Sequence, residues 1–373
     1  MKNGKVGIGF VGVGCISGIY LENITKLFRE IEVVGVCDLI PERAKQAEEK
    51  YSVKNYADMY ELFQDPEVDI VLNITRPYEH YEVTKAALNA GKHVYSEKPL
   101  SPKLKEGKEL IALAQQKGLL LGGAPDTFLG AGIQTCRKLI DDGYIGTPIG
   151  ASAKFATHGP EHWHPDCEFI YQYGGGPMLD MGPYYVTALI NLMGRVESVC
   201  GYSKKTFPQR PMLCGPKFGN MMSVDVPTFV MGTLRFENGA VGSLFTTFDI
   251  YNDNNYSFEI YGTEGTLMVP DPNTFGGPVK ILRHQYSKGE LKYMEMPLMF
   301  NYSENSRGLG LADMAKALTS KRDFRANCMQ QLHVLEIMEG MIRSGEDGSK
   351  VVMQTPYTRS KAMSAKNFTG YLD

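Results

Sequence analysis

The stretch Ala90-Gly91-Lys92-His93-Val94-Tyr95-Ser96-Glu97-Lys98-Pro99 carries a short apolar run directly into a Glu-Lys-Pro step. If the run is a strand of a parallel sheet, Lys98 stands at its carboxyl end, where open α/β sheets bind their ligands. An ammonium there can hold a substrate hydroxyl. Were burial and a nearby positive ring to lower its pKa, it would also relay the proton that the hydroxyl gives up. Taken alone, the same three residues fit a surface lysine in an ordinary salt bridge.

A second group lies at His158-Gly159-Pro160-Glu161-His162-Trp163-His164-Pro165, which contains the one tryptophan of the chain. The flat ring of Trp163 is suited to stacking on the C–H face of a sugar-like ring, and His162 and His164 add polar groups for a polyhydroxylated ligand. His164 is a candidate for acid–base work. The two histidines with Asp166 also fit a metal site, although a polar loop is the commoner meaning of that spacing, and no metal is expected. Asp126, in Ala124-Pro125-Asp126-Thr127, is expected to rim the same site, with a loop cap as the competing role.

A third group, Gly12-Val13-Gly14-Cys15-Ile16-Ser17-Gly18, follows the apolar run Val6–Val11. Between a strand and a helix, a G-x-G turn of this kind cradles a pyrophosphate, Gly12 making the tight turn and Gly14 allowing close approach. Gly12, Gly14, Cys15 and Ile16 are the residues expected at the dinucleotide. The third motif position is Ser17, so helix–strand packing must accept its hydroxymethyl group or use Gly18. Asp38 closes the next apolar run, about 24 residues beyond Gly14. A carboxylate there accepts from both ribose hydroxyls and repels a 2′-phosphate, favouring NAD over NADP. A plain helix cap before Pro41 is the alternative.

Elements in the right order must position these groups. From residue 5 to about 123, Val- and Ile-rich runs alternate with amphipathic stretches. The strands are expected at Val6–Val11, Val33–Cys37, Ile70–Ile74, His93–Tyr95 and Leu119–Leu121, with helices over 41–51, 57–64, 78–90 and 102–117. This predicts an N-terminal α/β Rossmann domain, a doubly wound parallel sheet, over residues 1–125. Residues 126–373 then form an α+β domain for substrate binding and oligomerisation, with a large open, mostly antiparallel sheet and flanking helices. Asn238-Gly239 joins Met231–Phe236 to Val241–Phe248 as a hairpin, Tyr256–Val269 repeats the pattern, and 307–345 has helical spacing. The C-terminal helices are free to pack back on the first domain. Met178, Met181 and Met193 read as core filler, and His333 as a packed or surface residue.

Composition narrows the class. With 39 Lys and Arg against 42 Asp and Glu, the formal net charge is −3, which leaves no basic excess for nucleic acid. Seven cysteines at irregular spacings, without a C-x-x-C pair, read as free thiols in a reducing compartment. Two lysines and a short apolar run ending at Cys15 superficially resemble a signal segment, but the run is broken by four glycines and is better explained as strand and turn. No run reaches the roughly 18 apolar residues of a membrane span. A cytoplasmic protein with no membrane partner is expected.

Together, Ala-Gly-Lys-His-Val…Glu97-Lys98-Pro99, the glycine turn, Thr75…His80, Gly174-Gly175-Gly176-Pro177-Met178-Leu179-Asp180-Met181-Gly182 and Gly262-Thr263-Glu264-Gly265 resemble the glucose–fructose oxidoreductase, inositol dehydrogenase and rhizopine catabolism family, Gfo/Idh/MocA. The resemblance covers essentially the whole chain. It implies an NAD(P)-dependent oxidoreductase acting on the hydroxyl of a sugar, cyclitol or glycoside, with Lys98 catalytic. Thr75, His80, Glu97 and Lys98 fall on the cofactor side, as does Arg76, which is inserted into the usual Thr-Pro step. Arg76 is equally suited to a salt bridge with a nearby carboxylate. The family's aspartate and, four residues later, its acid–base histidine correspond to Asp180 and Tyr184. Residues four apart share a helix face and Pro183 suits a first turn, so Tyr184 rather than Tyr185 should point with Asp180. A packed, inert tyrosine is the alternative. Lys98, Asp126, His162, Trp163, His164, Asp180 and Tyr184 are the expected substrate contacts. The expected assembly is a homodimer or homotetramer. Two further readings stay open, a glycoside-cleaving enzyme using transient C3 oxidation and a non-catalytic dinucleotide-binding regulator.

Overall fold

The computed structural model describes residues 4–284, 291–365 and 369–373. Its first half is a six-stranded parallel sheet of β1 (Val6–Val11), β2 (Ile31–Cys37), β3 (Lys54–Asn55), β4 (Ile70–Asn73), β5 (His93–Ser96) and β6 (Leu121–Gly123) in the order β3-β2-β1-β4-β5-β6. Strand order reverses between β1 and β4, the place where doubly wound sheets open a crevice for a dinucleotide. The connecting helices are α1 (Ser17–Lys26), α2 (Pro41–Tyr51), α3 (Met59–Gln64), α4 (His80–Asn89) and α5 (Leu104–Lys117). All six residues of β1 are buried, as expected for a strand covered by helices on both faces.

Two expectations are corrected. Strand β3 has only two residues, too few to leave a periodic signal. Helix α5 begins at Leu104 rather than at Pro102. The Ser101 hydroxyl accepts from the Lys103 N–H and Glu339 accepts from the Leu104 N–H at 2.8 Å, so the helix is capped from outside and Pro102 stays before it.

After α6 (Ala131–Asp141) the chain builds a second sheet. Its strands are β7 (Pro148–Ala156), β8 (Val196–Lys204), β11 (Phe229–Phe236), β12 (Val241–Thr247), β13 (Tyr256–Gly262), β14 (Thr266–Met268), β15 (Val279–Leu282), β16 (Met294–Met296) and β17 (Val351–Val352), with the short pair β9 (Gln209–Pro211) and β10 (Met221–Ser223) set apart. The nine are ordered β16-β15-β14-β13-β7-β12-β11-β8-β17, and β7 runs parallel to β12 while the other pairs are antiparallel. The hairpin at Asn238-Gly239 is in place between β11 and β12.

Helices α7 (Gly176–Asp180), α8 (Gly182–Met193) and α10 (Cys328–Asp347) cover one face of this sheet, and α9 (Leu309–Ser320) lies beside β6. Every residue of α8 is buried, because the sheet lies on one side and α6 and α10 on others. Leu332 of α10 packs into the core of the parallel sheet beside Leu110 and Leu121, and Asn327 bridges to Gly122. One apolar interior thus runs from both sheets to the cleft between them. Among the described residues no helix is long and apolar enough to cross a membrane, and all seven cysteines are free.

Candidate active site

The glycine turn leaves the end of β1 and opens α1. Gly12 has φ +99°, and a Cβ there would lie 2.8 Å from the Ile74 carbonyl oxygen, so a side chain is excluded twice over. At Gly14 a Cβ would meet nothing within 4 Å, which leaves open space where a pyrophosphate would approach. Cys15 and Ile16 are exposed beside it. Ser17 is buried and its hydroxyl donates to the Gly14 carbonyl at 2.7 Å. The hydroxymethyl group is therefore accommodated at the motif position itself. Gly18, around which there is free space, does not take over that packing role. Asp38 at the end of β2 accepts from the Val13 N–H at 2.6 Å and from the Ile40 N–H at 2.8 Å. It ties the turn to the second strand while acceptor sites on both oxygens remain. These residues fit a dinucleotide.

From the end of β5, Lys98 reaches across the cleft to Asp180. Its Nζ lies 2.7 Å from Oδ1 and 2.6 Å from the main-chain oxygen of Asp180. The same ammonium sits 5.2 Å from the ring centroid of Tyr184, a cation–π distance. Asp180 and Tyr184 are not on one continuous helix, since α7 ends at Asp180 and α8 starts at Gly182, yet the break at Met181 keeps both against Lys98. Tyr185 instead packs on Phe155 and Phe258 inside the second half. Burial works to discharge Lys98, but Asp180, Tyr184 and Glu97 outweigh it and hold the ammonium above its ordinary pKa. This corrects the expectation of a lowered lysine pKa in the protein alone.

Around this triad, Arg76 hydrogen-bonds Asp166 across the cleft at 2.5 Å and stands over the Phe169 ring. The salt bridge that its position equally suggests is in place, with both partners still partly exposed. His164 is half-buried. Its Nδ1 accepts from the Asp166 N–H at 3.2 Å, and burial lowers its pKa against the pull of Asp166 and Asp180. Trp163 is 64% exposed, and His162 is exposed as well. Both stand outside the packed site, on its rim. A narrow crevice lined by Pro77, Lys98, Phe169, Gly175, Leu179 and Asp180 separates the two halves here.

Three residues expected in contact with ligand lie behind the site instead. His80 is buried between two main-chain carbonyls, Nδ1 at 2.7 Å from Pro99 O and Nε2 at 3.1 Å from Thr75 O. Lying between the Thr75 turn, whose hydroxyl donates to Asn73, and the Lys98-Pro99 step, the neutral ring donates to one of the two carbonyls and is enclosed by both. Glu97 is buried, accepting from the Tyr20 hydroxyl at 2.6 Å and from the Lys98 N–H at 3.0 Å. Asp126 is buried as the cap of α9, accepting from the N–H groups of Gly308 and Gly310, and burial raises its pKa to about 6. The loop cap that the sequence offers as the competing role is not what forms, since the carboxylate makes no cap bond in its own loop and serves the distant α9 instead.

Arg307 carries no motif and falls at the edge of the 307–345 stretch of helical spacing. It stands before α9, with Nη1 2.8 Å from Asn305 Oδ1 and Nη2 2.7 Å from Asn273 Oδ1; burial opposes its charge, but Tyr184, Tyr20 and Asp126 favour it and hold its pKa above the ordinary value. Its separation of 34 residues from Asn273 in sequence hides that contact.

Comparison with known proteins agrees with this geometry. Residues 6–123 match the family model of oxidoreductases with an NAD-binding Rossmann fold, and residues 133–268 match the Gfo/Idh/MocA C-terminal domain. The chain belongs to the Gfo/Idh/MocA family. Among its members, a 1,5-anhydro-D-fructose reductase from Ensifer adhaerens is 31% identical over 64% of this chain and 68% of its own length. A myo-inositol 2-dehydrogenase from Thermotoga maritima is 28% identical over 70% and 74%. For a levoglucosan dehydrogenase from Pseudarthrobacter phenanthrenivorans the values are 27%, 62% and 63%, so the match spans a little under two thirds of that relative. A solved structure of levoglucosan dehydrogenase with NADH and levoglucosan superposes with a TM-score of 0.81 at 21% identity, over 94% of this chain and 100% of that one, and shares its fold.

Proposed function

We propose that this Gfo/Idh/MocA protein is an NAD-dependent dehydrogenase that oxidises a secondary hydroxyl of a sugar or cyclitol ring, or reduces the corresponding ketone. The contact of Lys98 with Asp180 and Tyr184 carries the reading, because it sets a cation, a carboxylate and a phenol at the carboxyl edge of a dinucleotide-binding sheet. Bound NAD supplies the hydride acceptor at nicotinamide C4. Gly12, Gly14, Cys15 and Ile16 hold its pyrophosphate, and Asp38 takes the ribose hydroxyls in preference to a 2′-phosphate. Lys98 donates to the substrate oxygen, Asp180 fixes the lysine, and Tyr184 exchanges the hydroxyl proton. Trp163, His162 and His164 line the mouth where the rest of the ring would sit. The named substrates of the relatives, inositol, levoglucosan and anhydrofructose, support a ring bearing secondary hydroxyls.

The chain is proposed to work in the cytoplasm as a homodimer or homotetramer. The uncovered face of the second sheet, with Tyr202, Met231 and Val241 exposed, supports self-association. The test of function is incubation with NAD and a panel of sugars, cyclitols and glycosides, following reduced nicotinamide by absorbance and any released aglycone. NADH formation with at least one ring polyol is expected. Aglycone release without net NADH, or no turnover across the panel in either direction, overturns the reading.

A further inference from the structure

A second ion pair crosses the cleft besides that of Lys98 and Asp180. Arg76 belongs to the turn after β4, and its Nη2 lies 2.5 Å from Oδ2 of Asp166, on the segment that leads to α7. The backbone behind it is fixed. Pro77 confines the residue before it to extended geometry, where Arg76 lies at φ −78° and ψ 153°, and the Glu79 N–H donates to the Arg76 carbonyl at 2.8 Å.

What Arg76 grips is the wall and mouth of the crevice. Its guanidinium stands 5.2 Å over the Phe169 ring, which lines the crevice together with Lys98 and Asp180. Phe169 meets the His164 ring at a centroid distance of 5.6 Å, and His164 meets Trp163 at 5.4 Å. The Asp166 N–H also donates to His164 Nδ1. One row of contacts therefore runs from the cofactor half to the tryptophan at the mouth. The same segment is tied to its own half by Arg210, which donates to the His158 carbonyl at 2.6 Å and pairs with Glu161 and Asp249. Arg76 joins it to the other half.

We infer that Arg76 is a positioning residue for the substrate, holding His164 and Trp163 over the crevice, through Asp166 and Phe169, in register with the cofactor half. The inference rests on the proposed dehydrogenase reading, which seats a ring polyol in that mouth. Arg76 touches none of the reacting atoms, so its effect falls on substrate affinity and not on the hydride or proton steps. Salt distinguishes the two ties. The side chains of Arg76 and Asp166 are 45% and 41% exposed and open to screening, whereas those of Arg210, Glu161 and Asp249 are at most 4% exposed.

The test uses the full chain and two readouts, steady-state kinetics and acrylamide quenching of Trp163, which is the one tryptophan and so reports the mouth alone. With NAD saturating and a neutral ring polyol as substrate, Arg76→Met should raise KM about fivefold, the upper range for an exposed ion pair, with kcat and NADH affinity within about twofold of wild type. Arg76→Lys keeps the cation and should stay within about twofold in KM. Asp166→Asn should match Arg76→Met, and adding Arg76→Met to it should cost less than about twofold more, because both changes break one contact. Raising NaCl from about 0.05 to about 0.5 M should increase KM and quenching in the wild type and leave both flat in Arg76→Met. Should Arg76→Met not fold, Asp166→Asn carries the same comparison from the other partner. An unchanged KM in Arg76→Met, or quenching that ignores salt in an active wild type, overturns the inference alone. Loss of NADH affinity in place of KM also overturns it, and makes Arg76 a cofactor contact. A wild type that oxidises no ring polyol removes the dehydrogenase reading, and the substrate role of Arg76 falls with it.

Discussion

Lys98 Nζ and Asp180 Oδ1 lie 2.7 Å apart across the cleft, one at the end of a parallel strand and the other at the end of α7. The pair aligns the two halves and keeps the ammonium charged in a buried place. Lys98→Met keeps the length and apolar stem of the side chain but removes the charge. It should lower kcat on the order of 10²–10⁴-fold, the range for a positioned acid or base, with NADH affinity largely retained. A kcat within tenfold of wild type would return Lys98 to a structural ion pair.

Tyr184 and His164 compete for the acid–base role. Both stand close enough to Asp180 to share its surroundings, but only Tyr184 touches the Lys98 ammonium. Tyr184→Phe retains the ring under Lys98 and removes only the hydroxyl, so a loss of 10²-fold or more in kcat isolates proton chemistry from packing. His164→Asn should change KM more than kcat. Normal kcat in Tyr184→Phe together with collapse in His164→Asn would move the proton to the histidine.

Asp38 already accepts two main-chain N–H groups, and a 2′-phosphate beside it would meet an uncompensated carboxylate. NAD should bind at least tenfold more tightly than NADP, equivalent to about 1.4 kcal/mol. Asp38→Ala should narrow the gap but also loosen the turn at Val13, so NAD affinity falls as well. Equal affinities in the wild type would show that Asp38 serves the turn alone.

The parallel sheet was readable from sequence, apart from the two polar residues of β3, because its central strands are apolar runs between turn residues, and β1 matches its expected limits residue for residue. The chemistry of Lys98 was readable for the same reason, since a strand end fixes where the next side chain points. What remained hidden depends on distant segments meeting. Asp126 looks like a rim residue until Gly308 and Gly310, some 180 positions later, take its carboxylate. His80 looks like a cofactor ligand until the Thr75 and Pro99 carbonyls are seen to enclose its ring. Arg307 has no local pattern at all, and only the approach of the loop before α9 to Asn273 reveals what holds its guanidinium.

His333 gives the stability of the second half a pH dependence whose sign follows from its hydrogen bonds. The Val196 N–H donates to Nε2 at 3.2 Å, so the proton of the neutral ring sits on Nδ1 and is donated to Thr355 Oγ1 at 2.7 Å, which in turn donates to Glu336 at 2.5 Å. A second proton on Nε2 would face the Val196 N–H donor. Burial first, and then Arg195, push the pKa from 6.5 down to about 4. The folded state thus prefers the neutral ring. Stability from this group is complete above pH 6.5, declines as pH falls from 6.5 to about 4, and changes no further below that. At about 1.4 kcal/mol per unit the full effect is at most about 3.5 kcal/mol. Asp126 works in the opposite sense, since its raised pKa contributes stability that is lost as pH rises from 3.8 to about 6. The two partly cancel in the whole-protein profile, so the informative quantity is a difference. Urea denaturation of the wild type and His333→Gln at pH 7, 5.5 and 4 should show the variant less stable at pH 7, with the gap shrinking steadily toward pH 4. A gap independent of pH would mean that His333 contributes by packing on Tyr357 and not through its protonation.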